Sequence, residues 1–353
     1  MPDYLWRSDP PALERALLAG LAPAEAGYRI GGVLHRSLYA GGLLRRVRLP
    51  LQVVSVGNLA VGGSAKTPLV AWLARGLRGR GCKVAVLSRG VGGAGSRRVN
   101  VVSDGERIRL GSGEVGDEPV WIAGQAPGVP VLAGRDRAAL ALRAIALFGT
   151  QIALLDDGFQ HHRLARDLDL VCLDAGLGLG NRHLLPRGPL REPPGSLRRA
   201  SAIVWTRAAE GRELPDLGGA APRDVPQFRV ALEPAGLEDL STGESRSLDT
   251  LCGARLGVLA AIARPDRLER DLEHLGAHVI ARQIRRDHAQ WRPRDLELLS
   301  RDHAWVTTGK DAVKLPSSWL GGRRVYALVE RVREADGQRL LAWLVEQLGG
   351  EGA

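Results

Sequence analysis

Several residue types are scarce in this chain, and each shortage excludes something. Of 353 residues, one is methionine, three are cysteine and 4% are aromatic. Cys82, Cys172 and Cys252 stand too far apart for a disulfide framework or a zinc cluster, and read as buried thiols of a reducing compartment. No run reaches the ~18 apolar residues that a bilayer span needs. Asp3, Arg7, Asp9 and Glu14 interrupt any secretory core near the start. With three Phe and four Tyr there is little to stack on nucleobases, which argues against a nucleic-acid binder. Lysine is scarce too: of 49 basic residues only four are lysines, at 66, 83, 310 and 314. Where arginine serves every ordinary positive position, a retained lysine marks a place that needs an ammonium group. Lys66 and Lys310 both fall in motifs described below.

What is present is a chain with 44% hydrophobic and 25% charged residues, typical of a soluble α/β protein and long enough for two domains. A net charge of +10 points to an anionic partner. Nucleic acid, acidic headgroups and phosphorylated small molecules all fit the charge alone. Residues 1–50 read as an amphipathic helical segment, with Tyr28, Ile30, Val33, Leu34, Leu38, Leu43 and Leu44 set among arginines. Such a segment either packs on the core with a solvated basic face or lies on an anionic membrane. From Leu51 strands alternate with helices, the order of a parallel sheet covered on both faces. The expected divisions are 1–50, a domain over 51–226 closed by the Pro- and Gly-rich zone from Leu214, a smaller α/β domain over 227–333, and a helix over 334–353.

An apolar strand over 51–56 leads into Gly62-Gly63-Ser64-Ala65-Lys66-Thr67 and then a helix. These are the parts of a phosphate cradle: inward backbone N–H groups, a helix dipole, a lysine for the β/γ phosphates and a threonine hydroxyl for Mg²⁺. The spacing follows the variant G-G-x-x-K-[ST] loop. Ala65 is its irregular position, because a Cβ there crowds the phosphate or demands a strained backbone angle. A second apolar strand ends in Asp156-Asp157-Gly158-Phe159-Gln160-His161, with carboxylates placed to hold Mg²⁺ directly or through water. Gly116-Asp117-Glu118-Pro119 opens a helix and on its own reads as a cap. Asp287-His288 is a weak pair that could serve as an oriented base. Thr307-Thr308-Gly309-Lys310-Asp311 follows a strand, and residues 185–193 form a rigid basic loop suited to phosphate contact.

As an ordered set over roughly 55–315, these segments resemble the tetraacyldisaccharide 4′-kinase family of lipid A biosynthesis. The set includes Ser55-Val56-Gly57-Asn58, Leu87-Ser88-Arg89-Gly90 and Gly188-Pro189-Leu190-Arg191-Glu192-Pro193. The resemblance implies a P-loop NTPase-type α/β fold with a parallel sheet, a second smaller α/β domain and an N-terminal membrane-associated helix. It implies transfer of the ATP γ-phosphate to the 4′-hydroxyl of a tetraacylated glucosamine disaccharide 1-phosphate. ATP and Mg²⁺ are the expected cofactors. Lys66 would hold the β/γ phosphates within the Gly62–Thr67 loop. Thr67 with Asp156, Asp157 or Glu192 would serve the metal, Asp117 would be the base and His288 its orienting partner. Arg89, Arg137, Gln160 and His161 would line the acceptor side. The expected location is peripheral, on the cytoplasmic face of the inner membrane, against its surface lipids and with no protein partner implied. Three positions depart from the family pattern: Ala65 replaces Gly, Val91 replaces Tyr and Gly309 replaces Glu. The competing reading is a membrane-associated switch ATPase of the partition and septum-positioning kind, which usually has a signature lysine where this chain has Val61.

Overall fold

The computed structural model describes residues 11–95, 97–208, 211, 213–287 and 289–349. In chain order it runs through α1 (Ala12–Gly20), α2 (Ala22–Ala40), β1 (Gln52–Asn58), α3 (Lys66–Gly79), β2 (Val84–Ser88), β3 (Asn100–Ser103), α4 (Ser112–Val115), α5 (Asp117–Gln125), β4 (Val131–Ala133) and α6 (Arg137–Phe148). It continues with β5 (Ile152–Asp156), β6 (Leu168–Asp174), β7 (Ala202–Thr206), β8 (Gln227–Val230), β9 (Leu232–Asp239), β10 (Ser245–Arg246) and β11 (Arg255–Ala260). The last elements are α7 (Pro265–His274), β12 (His278–Ile284), α8 (Pro293–Glu297), β13 (Ala304–Thr308), α9 (Gly309–Ala312), β14 (Val325–Val332) and α10 (Glu334–Gln347).

These elements form two compact units. The first takes residues 1–88, 136–231 and 333–353, and the second takes 89–135 and 232–332. Residues 89–135, which chain order placed in the 51–226 domain, thus fall in the second unit together with Asp117.

In the first unit, β2, β5, β1, β6, β7 and β8 lie side by side in that order, all parallel. The apolar runs of β1, β5 and β7 are buried along nearly their whole length, as strands covered on both faces must be. β1 is central and pairs with β5 so that Val56 stands beside Asp156. Both strands therefore deliver their loops to the same carboxyl edge of the sheet. One apolar core gathers Leu59, Phe159, Val171, Leu190, Ile203 and Trp205. α10 packs on α3, where Gly76 lies against Leu341 and Gly337 against Trp72, approaches that leave no room for a Cβ.

The second unit holds the antiparallel pair β3–β4 and a six-stranded sheet of order β10-β9-β14-β13-β11-β12. Its β11–β14 segment is parallel, and β9 closes it antiparallel on β14. Two buried clusters lie on it, one around Val258, Leu272 and Leu328 and one around Leu259, Trp291 and Val325.

The N-terminal segment differs from expectation in where its helix lies. The sequence pattern placed a helical stretch over 28–47, but α2 begins at Ala22 and ends before Gly41-Gly42, whose second glycine has φ +74°. One face of α2 is tied down by a buried charge. Glu25 accepts from the Leu184 N–H at 3.0 Å and lies 3.3 Å from Arg187 Nη1 and from His183 Nδ1. Burial opposes ionisation of this carboxyl, yet those partners hold its pKa below the ordinary value. The other side of α2 carries Ile30, Val33 and Leu34 exposed to solvent. Among the described residues no helix is long and apolar enough to cross a membrane. Cys82 and Cys172 are buried as expected, whereas Cys252 is exposed at the turn before β11.

Candidate active site

The loop between β1 and α3 is built by its neighbours as much as by its glycines. Asn58 Nδ2 donates to Ser64 Oγ at 2.9 Å, so the last residue of the strand holds the loop's far side. The Val61 N–H donates to Pro189 O at 2.8 Å and the Arg191 N–H to Leu59 O at 2.6 Å, which seats the 185–193 segment alongside. Arg207 reaches the Gly63 carbonyl and also pairs with Asp174 at 2.8 Å. Ala65 sits at φ +53°, ψ +25° just before Lys66, the left-handed conformation usually left to glycine. The methyl group is accommodated, at 8% exposure, and the strain anticipated from the sequence is present.

Lys66 and the Asp156-Asp157 pair come together in this first unit. Lys66 Nζ lies 3.0 Å from Asp157 Oδ1, and Arg191 Nη1 lies 2.7 Å from Asp157 Oδ2. Burial alone would raise the Asp157 pKa, but Lys66 and Arg191 outweigh it and hold the carboxyl well below the usual range. Asp156 is 2% exposed and accepts from Ser88 Oγ at 3.2 Å. Thr67, the first-turn residue after Lys66, is equally buried. Glu192 is engaged by Arg199 through both carboxylate oxygens at 3.0–3.1 Å and by Gln160 Nε2 at 3.2 Å. Gln160 Nε2 also donates to Asn58 O at 3.0 Å, joining the carboxylate motif to the strand that leads into the loop. Among the described residues no group of three or more His, Cys, Asp and Glu side chains forms a metal cluster.

Arg137 and His161, also in this unit, form a basic corner. Arg137 is 3% exposed at the start of α6, whose cap is Asp136. Burial, then the charges of Arg137 and Arg166, push His161 down to about 4, so its ring is neutral at pH 7. The neighbouring His162 ring stands 5.7 Å from His35 and 5.9 Å from Tyr39, both on α2.

The second unit carries a separate charged cluster. Gly116, at φ +86°, approaches the Val91 carbonyl too closely for any side chain, and this bend starts α5 at Asp117. Asp117 is 5% exposed. Lys314 Nζ, wholly buried, lies 3.7 Å from Asp117 Oδ2 and 2.5 Å from Asp311 Oδ1. Beside it Lys310 Nζ meets Glu118 Oε1 at 2.7 Å. Two motifs distant in sequence, Asp117-Glu118 and Lys310-Asp311, are thus one assembly. Arg89 is exposed in the same unit, and Val91 is 44% exposed. His288 lies outside the described residues. Lys66 and Lys310 stand in recognisable motifs and Lys314 in none, although the scarcity of lysine marks it equally. Arg199 and Arg207 carry no such signal in an arginine-rich chain.

The family model described as Tetraacyldisaccharide-1-P 4′-kinase (LpxK) matches residues 17–348. The chain belongs to this family. A tetraacyldisaccharide 4′-kinase of Syntrophus aciditrophicus (strain SB) is 42% identical over 329 residues, covering 88% of each chain. One from Anaeromyxobacter sp. (strain Fw109-5) is 43% identical over 335 residues, covering 92% of this chain and 90% of its own. Among solved structures, LpxK from Aquifex aeolicus in complex with ATP superposes with a TM-score of 0.76 at 30% identity, covering 94% of this chain and 99% of that one. The α/β fold with its phosphate loop is therefore that of the kinase family, and the switch-ATPase alternative finds no support.

The family departures at 65 and 309 have physical accounts. A left-handed alanine costs about 1–2 kcal/mol, against roughly 0.4–1 kcal/mol that a glycine loses through its freer unfolded chain. Ala65→Gly is expected to raise stability by up to about 1.6 kcal/mol in urea denaturation; a loss would show that the methyl group's packing outweighs the strain. At Gly309 a Cβ would collide with the indole Nε1 of Trp121, so that ring occupies the space a side chain would need. Gly309→Ala should cost about 1–3 kcal/mol by the same measurement. Adding Trp121→Leu should recover most of it, and a tolerated alanine would refute the account.

Proposed function

We propose that this protein transfers the γ-phosphate of ATP to the 4′-hydroxyl of a tetraacylated glucosamine disaccharide 1-phosphate at a membrane surface. The observation that carries this reading is the joining of the lysine of a phosphate loop, on the central strand of a parallel sheet, to the Asp156-Asp157 motif, in a chain of this family. Lys66 leaves Asp157 for the β/γ phosphates when nucleotide enters, exchanging one anionic partner for another, and Arg191 keeps Asp157 charged. Thr67, in the first turn of α3, and Asp156, at the carboxyl end of β5, offer buried hard oxygen donors, and that donor set fits Mg²⁺. Thr67 and Asp156 would hold such an ion, which would supply positive charge against the phosphoryl oxygens. Asp157 and Glu192, already engaged by cations, support the site by orienting Arg191, Arg199 and Gln160.

On the acceptor side, Asp117 takes the proton of the attacking hydroxyl, with His288 as its orienting partner. Arg89, Arg137, Gln160 and His161 serve recognition of the sugar phosphate, His161 as a neutral hydrogen-bonding ring. Backbone N–H groups of Gly62, Gly63, Ser64 and Ala65 cradle the donor phosphates. Labelled ATP with purified protein tests this. Phosphate should appear on the lipid disaccharide, and Asp117→Ala should lower transfer by at least 100-fold, a usual size for a lost general base, with ATP affinity unchanged. ATP turnover indifferent to the lipid would sink the kinase reading, and lost ATP affinity in Asp117→Ala would make that residue structural.

The lipid acceptor also gives α2 a role. Its exposed Ile30, Val33 and Leu34 lie on one stripe with arginines around them, the pattern of a helix resting on anionic headgroups at the cytoplasmic face of the inner membrane. Because these side chains are exposed, Ile30→Ser with Val33→Ser and Leu34→Ser leaves the fold intact. Sedimentation with phosphatidylglycerol-containing vesicles should fall at least tenfold for the triple variant, roughly what losing three apolar anchors costs. Unchanged sedimentation would place the membrane contact elsewhere.

A further inference from the structure

The buried ion cluster of the second unit has a member that the transfer chemistry above does not use. Lys314 has no exposed side-chain surface, and its ammonium stands between two carboxylates, Asp311 at 2.5 Å and Asp117 at 3.7 Å. Asp311 is itself fully buried and hydrogen-bonded on both sides. Its Oδ2 accepts the Ala261 N–H at 2.8 Å, at the end of β11, and its own N–H donates to Thr308 Oγ1 at 3.2 Å. One arm of the lysine is therefore fixed to the sheet, and the other faces the opening residue of α5.

We propose that Lys314 is a positioning residue for Asp117, a buried ammonium that keeps this carboxylate ionised and fixes where its oxygens point. The proposal rests on the reading of Asp117 as the base that accepts the hydroxyl proton. A base must be unprotonated before it can work, and burial favours the protonated, neutral carboxyl. Two carboxylates share this desolvated space, so without a cation one of them would retain a proton. Lys314 supplies the missing charge. Nearby, the anionic Glu118 meets Lys310 at 2.7 Å, while Lys314 faces Asp117 and Asp311. The start of α5 adds a favourable dipole, but the lysine is the formal cation placed against both carboxylates. The residue type follows as well. In a chain with four lysines among 49 basic residues, this one stands in a slot without solvent, where a planar guanidinium with five donors would leave several unsatisfied.

A purely structural lysine and a positioning lysine differ in their effect on pH dependence. The test is kcat/KM for the lipid acceptor at saturating ATP, from pH 5 to 9, in Lys314→Met and Asp311→Asn. Removing the cation should raise the pH at which the base loses its proton, moving the acid limb up by a unit or more, with activity recovering towards pH 9. Asp311→Asn leaves the lysine with Asp117 as its partner and should move the same limb down. Opposite shifts cannot come from general destabilisation, and KM for ATP should not change in either variant. An acid limb that stays in place, or moves the same way in both variants, overturns the proposal. If Lys314→Met does not fold, the direction of the shift in Asp311→Asn decides alone. Asp117→Asn run alongside separates the two readings. Full transfer by that variant removes the base assignment itself, whereas its loss with unmoved limbs removes only the role of Lys314.

Discussion

The pairing of β1 with β5 is the constraint on which the first unit's chemistry rests. With Val56 beside Asp156, one strand hands its chain to the phosphate loop at the level where the other ends in carboxylates. A shift of one residue in that register would turn Asp156 to the other face of the sheet, away from the edge that carries the loop. Everything else at this edge is secondary reinforcement. Gln160 reaches back to the β1 carbonyl at Asn58, and the 185–193 segment hydrogen-bonds to the chain on either side of Ala60. The charges then follow the geometry, since Lys66 and Asp157 meet because the sheet has brought their backbones together.

Electrostatics in the two units follow a common logic with different components. In the first, arginines do the holding: Arg191 on Asp157, Arg199 on Glu192, Arg207 on Asp174. These forks suit carboxylates that need fixing in place. Lysines stand at the phosphate loop, where Lys66 meets Asp157, and in the closed slot beside Asp311, at Lys314. The composition of the chain thus carries structural information that no local motif conveys.

Much of the architecture was legible in the sequence because its signals are local. The apolar runs at 51–56, 151–155 and 202–206 are strands, and Lys66 opens a helix as its position after a glycine turn suggested. Elements whose identity depends on distant partners were not legible. β9 contains Pro234 and Gly236, poor strand formers, and exists because β14 pairs with it. The grouping of 89–135 with the second unit is likewise a tertiary fact, invisible to a reading that follows chain order. At the site, Lys66, Asp156 and Asp157 could be found from spacing. The contact of Glu118 with Lys310 spans 192 residues and could not.

Ala65 has a consequence for how such loops are defined. The backbone there already has the left-handed angles that glycine adopts without cost, and the chain turns correctly with a methyl group attached. What the loop requires is therefore a torsion angle, and glycine is the cheapest way to obtain it. A search pattern that demands glycine before the lysine would reject this chain. A pattern written in backbone angles would accept it.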